Sequence, residues 1–177
     1  MKKRFLAIFL ALFLIVLPGF YSVRSQSISV NQEKVVYTLP YPGILPDHPL
    51  YAVKIIRDRI LDVMTRDTMK KAQLYLLLSD KRAAMVPFLI QKGKDKLAVG
   101  TLDEGEKYFS QIPRLVETSK KQGVSPTADL VHKLKLANVK HREIVETLLK
   151  EVPQGQNQEI NRILQVNQQI KKDLQKY

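Results

Sequence analysis

Three histidines are the first residues in this sequence that could bind a metal ion or transfer protons. His132 and His141 are nine residues apart within one segment that is typical of a helix. Nine residues turn a helix by about 900°, so the two rings face opposite sides and cannot share an ion. His48 is distant along the chain, and no HExxH spacing occurs. We therefore expect no metal site.

Acidic residues that could act as an acid–base pair cluster at Asp103, Glu104 and Glu106, beside Lys107. A solvated helix face is the expected role of this cluster, rather than a pair of glycosidase carboxylates. The chain has no cysteine, which excludes disulfides, thiol nucleophiles and cysteine-ligated metals. Neither a nucleophile elbow nor a phosphate-binding loop is present. The sequence thus predicts a protein that is not an enzyme and needs no cofactor.

Basic residues outnumber acidic ones, 29 to 17, for a net charge of +12. A group of lysines lies near two expected helix ends: Lys92, Lys94, Lys96, Lys120 and Lys121. Charges at helix carboxyl ends complement the helix dipole, and solvated faces are their ordinary place. If the fold gathers these lysines on one side, they would instead form a contact surface for anionic lipid or an acidic wall polymer.

The first 25 residues have the pattern of an export signal. A basic head, Lys2 to Arg4, precedes 13 uninterrupted apolar residues, and Pro18-Gly19 then breaks the helix. We expect a signal peptide cleaved after Ser25. A retained membrane anchor is the alternative, since residues 5–23 carry no charge and approach the length of a span. Either way the rest of the chain is predicted to be outside the cytoplasm, either secreted or anchored, so nucleic acid is not an expected partner.

Two further regions follow this segment. Residues 26–46 are predicted to form a linker and a proline-rich extended segment, and residues 47–177 a helical bundle domain. Five helices are expected, at about residues 47–64, 68–92, 95–121, 126–152 and 156–176. Short connections make sequential helices antiparallel neighbours. The predicted fold class is all-α, an up-and-down bundle of about five antiparallel helices after the extended segment.

Caps and helix breakers set the expected helix bounds. Asp47 and Asp67 are candidate amino-terminal caps of the first and second helices. Pro87 is expected to kink the second helix, and Pro113 to bend or break the third. In the first helix the apolar residues share one stripe, the pattern of a helix packed against a core: Leu50, Val53, Ile56, Ile60 and Val63.

One polar residue interrupts the apolar seam of each of the last two helices. His141 and Asn167 are each 13 residues from Gln154, the centre of the expected hairpin. They are therefore predicted to lie at the same level and to form a hydrogen bond. A register-fixing polar pair is the favoured role, and a pH-responsive or ligand-touching histidine is the alternative.

The segment LPYPGILPDHPLYAVKIIRDR, residues 39–59, carries a likeness to a known family. Its entry motif consists of Pro42, Gly43, Leu45, Pro46, Asp47, Pro49, Leu50 and Tyr51. With the helix start DTMKKAQL after it, the Lys81-Arg82 pair and a late Val152-Pro153 turn, the chain resembles a bacterial and archaeal family of exported helical domains without an assigned function. The resemblance covers residues 39–175. It implies a fold and a location but no catalytic residues.

These observations favour a non-enzymatic module outside the cytoplasm that contacts an envelope protein. Binding to anionic lipid or wall polymer through the basic faces is one alternative. Another is a peptide or small molecule bound in a helical groove. Such a groove would lie near the two prolines and be lined by Tyr75, Met85, Phe88 or Tyr108. The entry segment itself is expected to pack across the bundle, with a peptide-docking role as the alternative. The side chains expected to pack are Tyr41, Ile44, Leu45, Leu50 and Tyr51.

Overall fold

The computed structural model describes residues 37–177, and across that range it has six α-helices, a short 3-10 turn and no β-strand. The helices are α1 (Tyr51–Met64), α2 (Thr68–Gln91), α3 (Asp95–Phe109), α4 (Ile112–Lys121), α5 (Ala128–Glu151) and α6 (Asn157–Leu174), with the 3-10 turn at Gln154–Gln156. The predicted all-α fold class is confirmed. The predicted export signal lies outside the described residues. Among the helices of residues 37–177, none is long and apolar enough to cross a membrane.

Local capping explains where α2 begins and ends. The Asp67 carboxylate accepts a hydrogen bond from the Lys70 amide at 2.7 Å, as predicted for an amino-terminal cap. At the other end Gly93 has a positive φ of 66°. The Lys94 amide donates to the Leu89 carbonyl, which closes a Schellman motif that only a residue tolerant of left-handed backbone accommodates well.

The third predicted helix is broken into α3 and α4 at residues 110–111, as the proline in this region predicted. Pro113 occupies the first turn of α4, where its missing amide costs nothing. Pro87, in contrast, lies inside α2, and that helix continues through it. Gly105 lets α3 approach α2, since a Cβ there would lie 3.1 Å from the Arg82 Cβ.

The centre of the bundle is α2, which packs against α3, α4 and α5 and more sparsely against α1. The last helix, α6, packs against α5, α3 and α4. Two apolar clusters form the core. The first includes Met85, Leu89, Leu102, Val145 and Ile160, and the second includes Leu76, Phe109, Ile112, Leu134 and Ile170.

Candidate functional site on the outer face of the first helix

The orientation of α1 is the opposite of the one that its apolar stripe predicted. Lys54 and Asp58 are its buried side chains, with 7% and 1% of their surface exposed. The stripe of Val53, Ile56 and Ile60 faces solvent instead. The prediction that this stripe packs against the core was therefore wrong, because the polar side of α1 has specific partners on the bundle.

Lys54 fastens α1 to the proline-rich segment that precedes it. Its Nζ donates hydrogen bonds to the carbonyl oxygens of Pro42, at 3.0 Å, and Ile44, at 3.3 Å. Proline-rich backbone in an extended run has no helix or sheet partner for its carbonyl groups, so a side-chain donor satisfies them. Burial lowers the pKa of Lys54 from 10.5 to about 8, although the nearby Asp58 charge opposes that shift.

Asp58 and Asp62 attach the rest of the polar side of α1. The Asp58 carboxylate lies 2.6 Å from the Arg57 guanidinium and 3.9 Å from that of Arg82, which is buried on α2. Asp62 accepts a hydrogen bond from the Tyr75 hydroxyl at 2.7 Å. Because these polar contacts lie one and two turns beyond Lys54 on the same side, they fix the rotation of the helix about its axis.

The opposite side of α1 is a continuous exposed apolar surface, which we call the docking face. It consists of Leu50, Val53, Ile56, Ile60, Val63 and Met64, each between 53% and 78% exposed. Isolated exposed apolar residues are ordinary on a protein surface, whereas a contiguous patch is typical of an interaction site. A 14-residue helix makes this face about 21 Å long.

A cavity of about 300 Å³ opens at the amino-terminal end of the docking face. Residues Pro42 to Ile44 form one wall, and the other is formed by Leu50, which directly precedes α1, and Val53 of α1. Arg57 and Lys81 contribute positive charge to its lining. Gly43 has a φ of 72°, and this left-handed turn lets the backbone fold over the Lys54 side chain.

The entry motif is split between the core and the surface. Leu45 and Tyr51 pack against the first apolar cluster, as predicted. Tyr41, Ile44 and Leu50 are exposed, so the prediction that they also pack across the bundle was wrong. Leu50 belongs to the docking face, and Ile44 lines the cavity at its end.

Asp47, the predicted cap of the first helix, has a different role. Its Oδ2 lies 2.9 Å from both the Lys92 and the Lys94 ammonium groups, and their hydrogen bonds lower the pKa of Asp47 to about 2. The helix begins four residues later at Tyr51, with no side-chain cap. Pro46 and Pro49 flank the intervening turn, in which His48 Nδ1 accepts a hydrogen bond from the Leu50 amide.

A buried histidine lies at the middle of the bundle. His141, fully buried on α5, lies between Asp80 of α2 and Glu106 of α3, with Nε2–Oδ1 and Nδ1–Oε1 distances of 3.0 and 2.7 Å. Burial alone would lower the pKa of His141, but the two carboxylates outweigh it and raise the pKa to about 9. The Tyr37 hydroxyl donates to Asp80 Oδ2 at 2.7 Å and extends the network to the start of the described chain.

The predicted hydrogen bond between His141 and Asn167 is not formed, because both ring nitrogens of His141 are bound to carboxylates. The Asn167 side-chain amide donates instead to the Asn138 backbone carbonyl at 3.1 Å. The Asn138 side-chain amide donates to the Asn167 backbone carbonyl at 3.0 Å. Asn138 precedes His141 by about one helical turn, so the partner of Asn167 lies one turn earlier along α5 than predicted. Asn167 remains a buried polar contact between the last two helices.

The expectation of a solvated acidic face on the third helix was also wrong in part. Glu106 is 1% exposed, and Asp103 is buried beside Arg162 and Lys107. Only Glu104 faces outward. A signal was present in the sequence, since Glu106 and Asp80, like His141, each interrupt an apolar helical stripe. Within residues 37–177 no group of three or more His, Asp or Glu side chains is arranged so that it could hold a metal ion.

The five lysines considered as an anionic-surface contact do not form one surface. Lys92, Lys94 and Lys96 lie at the carboxyl end of α2, whereas Lys120 and Lys121 lie near its amino end, where Thr68 contacts Gln122. The length of α2 separates the two groups by about 36 Å. Several of these lysines already have a partner within the protein. Lys92 and Lys94 form ion pairs with Asp47, Lys121 forms one with Glu117, and the Lys120 ammonium group lies over the Tyr177 ring.

The residues expected to line a groove near the two helix prolines are also separated. Met85 is fully buried in the first apolar cluster, and Tyr75 belongs to the second. Tyr75 packs edge-on against Tyr108 with ring centroids 5.2 Å apart, and Phe88 is exposed. These four side chains therefore fill or leave the core rather than enclose a shared space.

The fold and this surface define an all-helical domain with an apolar face on its first helix. Residues 43–173 match a protein family described as a domain of unknown function, DUF5667. The match covers well over half of the 177 residues, and the chain belongs to this family. No curated protein and no solved structure is significantly similar to it.

Proposed function

We propose that this protein is a non-enzymatic module outside the cytoplasm that binds another protein at the cell envelope through the docking face. The observation that carries the proposal is the inverted orientation of α1. Two charged side chains are buried so that six apolar ones can face solvent. Burying charged groups costs free energy unless they are fully paired, so this arrangement is expected to serve contact rather than stability alone.

The amino-terminal sequence supports the proposed location. A basic head and an uninterrupted apolar run precede the domain, which is the pattern of an export signal or anchor. The absence of recognisable catalytic motifs supports a role in binding.

Site-specific photocrosslinking in the native cell tests the proposal. A photoreactive amino acid placed at Ile56 or Ile60 of the full chain should give one discrete protein adduct. The same probe at Lys135, exposed on α5, should not. Ile60→Asp should abolish the adduct formed from position 56, because a carboxylate would be desolvated in an apolar contact. Adducts of equal yield at all three positions, or none at the face, would refute the proposed contact.

A further inference from the structure

The spacing within the docking face restricts what can cover it. Val53, Ile56, Ile60 and Val63 follow one another at steps of three, four and three. This is the alternation of a and d positions in a heptad, and it matches the knobs-into-holes contact between two helices. The remaining core-facing heptad positions of α1 are used by Lys54 and Asp58, so the a and d seam is free for a helix from outside the described domain.

Charges beside the seam determine which kind of helix fits. With Val53 and Ile60 at position a, Arg57 falls at e and Arg59 at g, the positions that form ion pairs across a helical pair. Arg59 has no acidic partner among residues 37–177, and Arg57 is paired only with its neighbour Asp58. Lys81 adds positive charge where the cavity meets the seam.

The same charges disfavour an antiparallel pairing of α1 with a second copy of this chain. In an antiparallel pair that matches Ile56 with Ile60, Arg57 would face its own counterpart, and so would Arg59. Like charges at these positions destabilise a helical pair. A membrane surface is disfavoured for another reason, since the seam contains no aromatic side chain, whereas interfacial helices commonly carry Trp or Phe on the apolar face.

We infer that the docking face binds an amphipathic helix of a different protein, one with an aliphatic seam and with Glu or Asp beside it. The inference rests on the proposed function and adds the chemistry of the partner. The partner helix would lie along α1 for about three turns. An aliphatic side chain near its end would enter the cavity of about 300 Å³, where a neighbouring carboxylate would meet Arg57 and Lys81.

Two synthetic peptides of three heptads test this inference. Both have the same aliphatic a and d residues, and one has Glu and the other Lys at every e and g position. Neither peptide pairs with itself, because like charges repel. Binding to the full chain in phosphatidylcholine nanodiscs is measured by fluorescence anisotropy. We expect the acidic peptide to bind about tenfold more tightly, from a few exposed ion pairs that each contribute about a factor of two.

Arg59→Glu should remove most of this preference, and Lys135→Glu, which makes the same charge change on α5, should leave it intact. Adding Arg57→Glu should reverse it. Equal binding of both peptides would overturn the inference of an acidic partner helix. So would displacement of the acidic peptide by phosphatidylglycerol vesicles, or a dimer of the full chain that covers position 60. If the crosslink at positions 56 and 60 persists in cells while the peptides bind equally, the partner chemistry is wrong and the proposed function stands. If neither experiment gives a contact, both are wrong.

Discussion

Replacing His141 by Gln is expected to destabilise the fold and to change how its stability depends on pH. The ring is fully buried and bonds to Asp80 and Glu106 on two other helices. Gln is neutral, so neither carboxylate keeps a cationic partner, whatever hydrogen bond the Gln amide makes. Breaking a buried ionic contact in this way costs about 3 kcal/mol or more of unfolding free energy.

The pH dependence follows from the pKa of His141, which is about 9 in the folded protein and 6.5 in the ordinary case. Each pKa unit corresponds to about 1.4 kcal/mol, so the protonated ring contributes up to about 3 kcal/mol. Because the folded pKa is the higher one, the contribution is complete below pH 6.5. It is lost as the pH rises through about 9.

Lys54 changes the free energy of unfolding in the opposite direction over part of this pH range. The contribution of His141 must therefore be measured as the difference in stability between two proteins that both contain Lys54. Its folded pKa of about 8 lies below the ordinary 10.5, so the Lys54 contribution raises stability between those pH values. Subtracting the profile of His141→Gln from that of the unmodified protein cancels this term and isolates the histidine.

The assay is guanidinium unfolding of the full chain in a mild nonionic detergent, followed by circular dichroism at pH 6, 7.5 and 9.5. The difference between the two proteins should shrink steadily from pH 6 to pH 9.5. His132→Gln, an exposed change on the same helix, should stay within about 0.5 kcal/mol of the unmodified protein. A difference that is constant or grows with pH would refute the assignment of a cationic His141.

Three other changes test the packing. Gly105→Ala should destabilise the fold by about 1–2 kcal/mol, since its Cβ would crowd α2, whereas Gly100→Ala in the same helix meets no atom within 4 Å and should stabilise it by about 0.5–1 kcal/mol; thermal unfolding compares the two. Asn167→Leu should cost about 1–2 kcal/mol, because the hydrogen bond from the Asn167 side-chain amide to the Asn138 backbone carbonyl is lost, whereas the Asn138 side-chain amide keeps the backbone carbonyl of residue 167 as its acceptor; a chemical denaturation midpoint that does not fall would contradict this. Lys54→Met should release the proline-rich segment, seen as faster hydrogen exchange there, while the exchange of α5 stays unchanged.

Helix positions were predictable because their signals are local. The Asp67 cap, the two glycines after α2 and α4, and the break near Pro113 depend only on the backbone preferences of a few neighbouring residues. The apolar seams of α5 and α6 also follow directly from spacing.

The orientation of α1 was not predictable in this way. An apolar stripe ordinarily marks the buried side of a helix, but here the energetics depend on carbonyl groups of Pro42 and Ile44 and on Arg82, all outside the helix. Asp47 likewise does not cap the helix, because it accepts hydrogen bonds from Lys92 and Lys94, which are more than 40 residues away in the sequence. The partners of His141, Asp80 and Glu106, were not predicted because they lie on other helices. Periodicity within one helix carries no information about side chains on another.

The way in which the proline-rich segment is held has a mechanical consequence. Tyr37 bonds to Asp80 near the middle of α2, and Asp47 bonds to Lys92 and Lys94 just past its end. The two attachment points are about 18 Å apart along the helix. Tension applied from the amino-terminal side therefore loads Tyr37 first and is passed directly to the buried Asp80–His141–Glu106 network. A pull on the amino-terminal side of Tyr37 is therefore borne by the centre of the bundle before α1 is detached.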